Sequence, residues 1–227
     1  MRNPLNTNQT LYYLPAYKGF PVQVSHGPLV EEYLQQLFVV FRDCVFSHRR
    51  GFVLRVDLRY SQNHALPHDI NTNAPLQRFL ASLQAKLDHK DRQRYQQTGR
   101  VNAHGMRYVW AREIGVSSGI PHYHLALFFN GDAYRSHGNY NDLHAPALCN
   151  RIRAAWASAL RLPIEVAARL VSFPPNGSWR IERKAETCFA AFKACSYLCK
   201  AATKPFGQGA HCFGSSQNHV PVGRTFE

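Results

Sequence analysis

The sequence predicts an α+β fold: an antiparallel sheet of split β-α-β type with helices on both faces. Three observations predict it. Gly51–Tyr60 alternates with a period of two: Phe52, Leu54, Val56, Leu58 and Tyr60 share one side, Val53, Arg55, Asp57 and Arg59 the other. Pro121–Phe129 does the same, with His122 and His124 on one side and Tyr123, Leu125, Leu127 and Phe129 on the other. Between and after these strands, apolar residues recur at helical spacing, giving the order β-α-β-β-α-β-α behind an N-terminal helix.

Each element has its own signal. Residues 1–27 are polar, with tyrosines and prolines and no clear period, and read as an arm draped on the domain. Pro28 opens a helical pattern to about Arg49, with Leu34, Leu37, Phe38, Phe41 and Val45 on one side. After strand 51–60 and a loop at 61–73, Leu76, Phe79, Leu80, Leu83 and Leu87 mark an amphipathic helix. Gly105–Ile114 reads as a strand and Gly115–Gly119 as a turn, making a hairpin with the His-x-His strand. Leu148, Ile152, Ala155, Trp156 and Ala159 mark a helix over about 145–160. Ser178–Glu182 reads as a short strand and 184–201 as the last helix; the Gly- and Ser-rich segment from Pro205 reads as irregular. This order puts Leu54, Val56, Leu125 and Leu127 under two helices. Arg55, Asp57, Arg59, His122 and His124 are left on the opposite face, where the last helix packs.

Composition narrows the partner. The 227 residues carry 27 Lys and Arg against 14 Asp and Glu, a net charge of +13 that favours a polyanion, most simply nucleic acid. No apolar run approaches the roughly 20 residues of a membrane span, and no signal peptide is read, so a cytoplasmic, membrane-free protein with reduced thiols is expected. Cys195, Cys199, His211 and Cys212 are of zinc-binding type. However, Cys188, Phe192, Cys195 and Cys199 step by helical spacing, which reads as an apolar stripe. There is no P-loop pattern and no Gly-x-Ser-x-Gly elbow.

The chemistry-bearing pattern is His122-Tyr123-His124 followed by Tyr197-Leu198-Cys199-Lys200. Two imidazoles on one face of a strand make a half-site for a divalent ion, although solvent-facing strand histidines have the same spacing. Glu113, before the hairpin turn, is placed to add an oxygen ligand, and two imidazoles with a carboxylate suit Mg²⁺ or Mn²⁺. On the last helix Lys193, Tyr197, Lys200 and Lys204 step by 4, 3 and 4 into a basic stripe, suited to easing phenol deprotonation or simply to a solvated face. A metal strand plus a tyrosine beside lysines points to tyrosine attack on a phosphodiester.

These motifs resemble the HUH endonuclease superfamily, and within it the filamentous-phage (inovirus-type) replication initiators and their prophage relatives. The matching stretches are Arg55-Val56-Asp57-Leu58, Gly119 to His124, Ser196 to Lys200 with Thr203-Lys204, and Phe213-Gly214-Ser215-Ser216. The resemblance implies a five-stranded antiparallel sheet and a nicking domain over 51–204, between an N-terminal arm and helix (1–50) and an irregular tail (205–227). It implies His122, His124 and Glu113 as ligands of Mg²⁺ or Mn²⁺, Tyr197 as the nucleophile and Lys200 as its helper. Lys193, Lys204, Arg55 and Arg59 are the expected DNA contacts. The expected activity is nicking and joining of single-stranded or hairpin DNA at a replication origin through a 5′-phosphotyrosine. A host helicase or polymerase is the expected further partner. No second tyrosine lies one helical turn away: those positions are Lys193 and Ala201. Two alternatives share the fold or the chemistry: a non-catalytic nucleic-acid-binding module, and a transposase or mobilisation nickase.

Overall fold

In the computed structural model, residues 1–217 are described except 116, 140, 184, 185 and 208. Short strands β1 (Arg2–Asn3), β2 (Asn6–Tyr12), β3 (Ala16–Tyr17), β4 (Phe20–Pro21) and β5 (Leu29–Val30) precede helix α1 (Glu31–Ser47). Then follow β6 (Gly51–Leu58), α2 (Ala74–Thr98), β7 (Arg107–Ile114), β8 (Pro121–Asn130), α3 (Leu148–Leu160) and the short α4 (Ile164–Ala168). The chain continues through β9 (Val171–Ser172), β10 (Ser178–Ile181), α5 (Glu186–Ser196), a 3₁₀ turn (Tyr197–Cys199) and β11 (Phe213–Ser215).

The long strands form one antiparallel sheet in the order β10-β6-β8-β7-β11. The sheet has six strands where five were expected, because the two-residue β9 also pairs with β6. The alternation read in β6 and β8 sorts two cores onto the two faces. Phe52, Leu54, Val56, Leu58, Tyr123, Leu125, Leu127 and Phe129 pack with Leu76, Phe79, Leu83, Ile152 and Trp156 of α2 and α3. Val53, Ala126, Phe128, Val109 and Ala111 pack with Leu34, Leu37, Phe41, Phe192 and Cys195 of α1 and α5. Helices therefore cover both faces. A fully buried aromatic or leucine side chain contributes about 1.5–3 kcal/mol, so the two cores fix the sheet rigidly between its helices.

Three segments differ from the sequence expectation. Residues 1–27, read as lacking a period, form short strands, and Tyr17, Phe20 and Val22 join the α1/α5 core; Leu29 and Val30, read as helix, form a strand that joins it too. Within the tail read as irregular, Phe213–Ser215 pairs with β7 and extends the sheet; its other part at 208 and 218–227 lies outside the described residues. The helix read over 184–201 stops at Ser196 (residues 184 and 185 are not described). Lys200 turns extended, with φ −57° and ψ 140°, because its segment docks on the N-terminal chain. Leu29 bridges to Lys200, and the Ala201 amide donates to the Pro28 carbonyl at 2.9 Å. A tertiary contact thus overrides the helical spacing.

Candidate metal and tyrosine site

The hairpin register places Glu113 directly opposite His122 and Ala111 opposite His124, while β6 places Asp57 opposite His124. Directly opposed residues of an antiparallel pair share a face. Glu113, His122, His124 and Asp57 therefore converge on the side of the sheet covered by α5. Glu113, His122 and His124 each offer a ligand atom, and these atoms lie within 4.8 Å of one another. Among the described residues no other His, Cys, Asp or Glu cluster is so placed.

Asp57 orients this set. Its Oδ1 lies 2.7 Å from His124 Nδ1. A carboxylate acceptor there places the ring proton on Nδ1 and leaves Nε2 as the electron-pair donor, 3.7 Å from Glu113 Oε2. His122 is lowered from the ordinary imidazole value by burial and then by the neighbouring His124, which favours its neutral form, the one that binds metals. Two imidazoles, one of them held by a carboxylate, and an ionised glutamate fit a divalent cation.

The tyrosine turn reaches the same point. Tyr197 makes edge contacts with His124, ring centroids 5.7 Å apart, and with His26, centroids 5.4 Å apart. Lys200 Nζ donates both to Tyr197 Oη and, at 3.0 Å, to Glu113 Oε2. One ammonium therefore touches the phenol and the carboxylate of the histidine cluster at once.

The family model for the YagK/YfjJ C-terminal domain matches residues 16–216. The chain belongs to that family. It is similar to "Uncharacterized protein YfjJ" of Escherichia coli (strain K12), 33% identical over 205 residues, covering 85% of this chain and 96% of that one. It is also similar to "Uncharacterized protein YagK" of the same strain, 31% identical over 206 residues, covering 86% and 97%. No solved structure matches.

The remaining expected residues of this family member divide by environment. Lys204 is buried, and its Nζ donates to Glu113 Oε1 at 2.9 Å, so it is committed internally rather than presented to DNA. Burial lowers Lys204, and Glu113 opposes that. Burial likewise opposes ionisation of Glu113, but Lys204 and the Thr203 hydroxyl, which donates to Oε2 at 2.7 Å, carry it down to about 2. Arg55 is buried too, its Nη1 donating to the Ala194 carbonyl at 2.8 Å and its guanidinium lying 5.5 Å from the Tyr197 ring centre. Arg59 and Lys193 are exposed.

The basic stripe read on the last helix is thus divided. Lys193 stands on α5 in solvent, Tyr197 and Lys200 follow on a 3₁₀ turn and its extended exit, and Lys204 turns inward. The zinc-type set does not assemble: the cysteines are buried, and burial pushes the Cys44 and Cys195 thiols up to about 12. Two residues that sequence reasoning gave no role complete the site, Asp57 behind His124 and Thr203 on Glu113. Both lay in stretches that carried the resemblance. The signal for Asp57 was its place on the polar face of β6, opposite a histidine of the neighbouring strand.

Proposed function

We propose that the protein is a metal-dependent, single-tyrosine DNA nickase and transesterase. It would act on single-stranded or hairpin DNA at a phage or plasmid replication origin, in the cytoplasm of a bacterial host. The observation that carries this reading is the double contact of Lys200 with Tyr197 Oη and Glu113. It joins a nucleophile to a divalent-ion site, which neither a solvent-facing histidine pair nor a passive binding module requires. The strand order β10-β6-β8-β7 with β11 beyond supports the HUH-type, five-stranded split β-α-β sheet, with β9 as an addition. No described helix is long and apolar enough to cross a membrane.

Glu113, His122 and His124 would hold Mg²⁺ or Mn²⁺, which supplies Lewis-acid polarisation of a phosphate oxygen. The chain's own groups do the rest. Tyr197 loses its phenolic proton to solvent, and the Lys200 ammonium stabilises the phenolate. Oη then bonds to phosphorus while the bond to the 3′ oxygen breaks. That oxygen takes up a proton and leaves as a 3′-hydroxyl able to prime a polymerase. The 5′-phosphotyrosine keeps the bond energy, so the same hydroxyl, or one held by a second protomer, can rejoin the strand without ATP.

Incubation with pooled single-stranded oligonucleotides and Mn²⁺, followed by denaturing electrophoresis, tests the reading. The protein should yield a DNA-linked band, and Tyr197→Phe should lose it while still binding DNA. An undiminished band in Tyr197→Phe would place the nucleophile elsewhere; no band with any oligonucleotide would overturn the proposal.

A further inference from the structure

A second feature of the same sheet has no role in the chemistry above. β9 and β10 both pair with β6 on the side away from β8, but they are not continuous. Ser172 lies opposite Asp57 and Ser178 opposite Leu54, while residues 173–177 loop out beside Arg55 and Val56. The sheet edge is therefore open next to β6, the strand that carries Arg55 and Asp57. The loop Phe173-Pro174-Pro175-Asn176-Gly177 is rigid: it holds two prolines, Asn176 has φ 54°, and the Gly177 carbonyl accepts from the Arg55 amide at 2.7 Å. A Cβ on Gly177 would fall 2.7 Å from the Pro174 carbonyl, so glycine is required there.

This break leaves a cleft of about 430 Å³, with Leu54 among its lining residues and Phe173, His137 and Arg153 supplying its aromatic and cationic groups. The rings of His137 and Phe173 stack, centroids 5.6 Å apart and planes 12° from parallel. The Arg153 guanidinium stands 5.8 Å from the Phe173 ring centre, and Arg153 is nearly buried on α3. Burial and Arg153 together lower His137, so its ring is neutral and can extend a stack without repelling a cation. A flat aromatic pair beside a guanidinium suits a planar, electron-rich ring on an anionic chain, which is a nucleotide base of single-stranded DNA.

The cleft is linked to the site through β6. Ser172 is exposed opposite Asp57, whose carboxylate holds His124. Gly177 binds the backbone of Arg55, whose guanidinium lies against Tyr197. Leu54 and Arg153 belong to the α2/α3 face, so the cleft and the tyrosine site lie on opposite faces of the sheet, joined at its edge by the Arg55-Val56-Asp57 stretch. We infer that this cleft takes a base of the bound single strand where the strand rounds the β6 edge of the sheet, away from the scissile phosphate, and that the base continues the His137–Phe173 stack and so adds to the sequence preference of binding. This rests on the nickase reading for its substrate.

The test is a walk of 2-aminopurine along a bound single-stranded oligonucleotide, read by fluorescence with the full chain. Binding is read without cleavage by using Tyr197→Phe as the parent protein. One position should be strongly quenched, and His137→Ala and Phe173→Leu should each abolish that quench and weaken binding about tenfold, as loss of one stacked base does. Thermal melts identify a variant that fails to fold, and the half-buried His137 is the change the structure absorbs more readily. Binding with an unchanged quench pattern in a folded His137→Ala would overturn the cleft assignment alone. Absence of binding to any oligonucleotide would overturn the nickase reading as well.

Discussion

At the scale of single residues, Glu113 is the point on which the site's charge balances. It is nearly inaccessible and receives Lys204, Lys200 and Thr203. Removing one partner of a buried ion pair leaves the other charge uncompensated, at a cost of about 3–5 kcal/mol. Glu113→Gln should therefore lower the unfolding free energy in urea by about that amount, because Lys204 has no water to turn to. Adding Lys204→Met should recover much of the loss. If Glu113→Gln is as stable as the parent, the pair is better solvated than its burial indicates. Asp57 offers a separate test, since it acts through His124. Asp57→Asn should weaken Mn²⁺ binding by about 10–100-fold in calorimetry, while Asp57→Glu keeps part of it. Unchanged affinity in Asp57→Asn would mean that His124 needs no orienting carboxylate.

At the scale of elements, the end of α5 decides where the tyrosine points. Ser196 is fully buried at that end; its hydroxyl donates to the Lys193 carbonyl at 2.6 Å and accepts from the Gln23 amide at 2.8 Å. It therefore ties the N-terminal chain to the residue before Tyr197. Ser196→Ala leaves the partly buried Gln23 amide without its acceptor and should cost about 1 kcal/mol in urea unfolding. It should also slow adduct formation more than it weakens DNA binding, because the Tyr197 turn loses its anchor. Equal losses in both would assign Ser196 a purely structural role. This junction also marks where the sequence stopped being readable. β6 and β8 were legible because Arg55 and Asp57, and His122 and His124, interrupt apolar runs at every second position, which marks the two faces. The helix end was not legible, since Tyr197-Leu198-Cys199 keeps helical spacing. What stops the helix is Pro28 and Leu29, far away in the chain, and no local pattern encodes that contact. The inward turn of Lys204 was hidden for the same reason. β11 escaped notice because a three-residue strand among glycines and serines carries too little alternation to show.

At the scale of the whole molecule, the net charge of +13 bears on association, but not all of that charge is available to a ligand. Arg55, Lys200 and Lys204 are buried and hold Ala194, Tyr197 and Glu113. Arg59 and Lys193 are exposed, one just after β6 and the other on α5. Single-stranded DNA releases counterions for each phosphate neutralised, giving a log–log salt slope of about −0.7 per contact. Only cations that reach a phosphate contribute to that slope. Arg59→Ala and Lys193→Ala should therefore each make the slope shallower by about 0.7, with a modest loss of affinity at low salt. Lys204→Met, although it removes the same formal charge, should leave the slope unchanged while lowering stability. Fluorescence anisotropy of a labelled oligonucleotide across a salt series separates the two classes. A Lys204→Met slope reduced as much as that of Lys193→Ala would mean that Lys204 leaves Glu113 when DNA binds, and that the pair opens as part of substrate recognition.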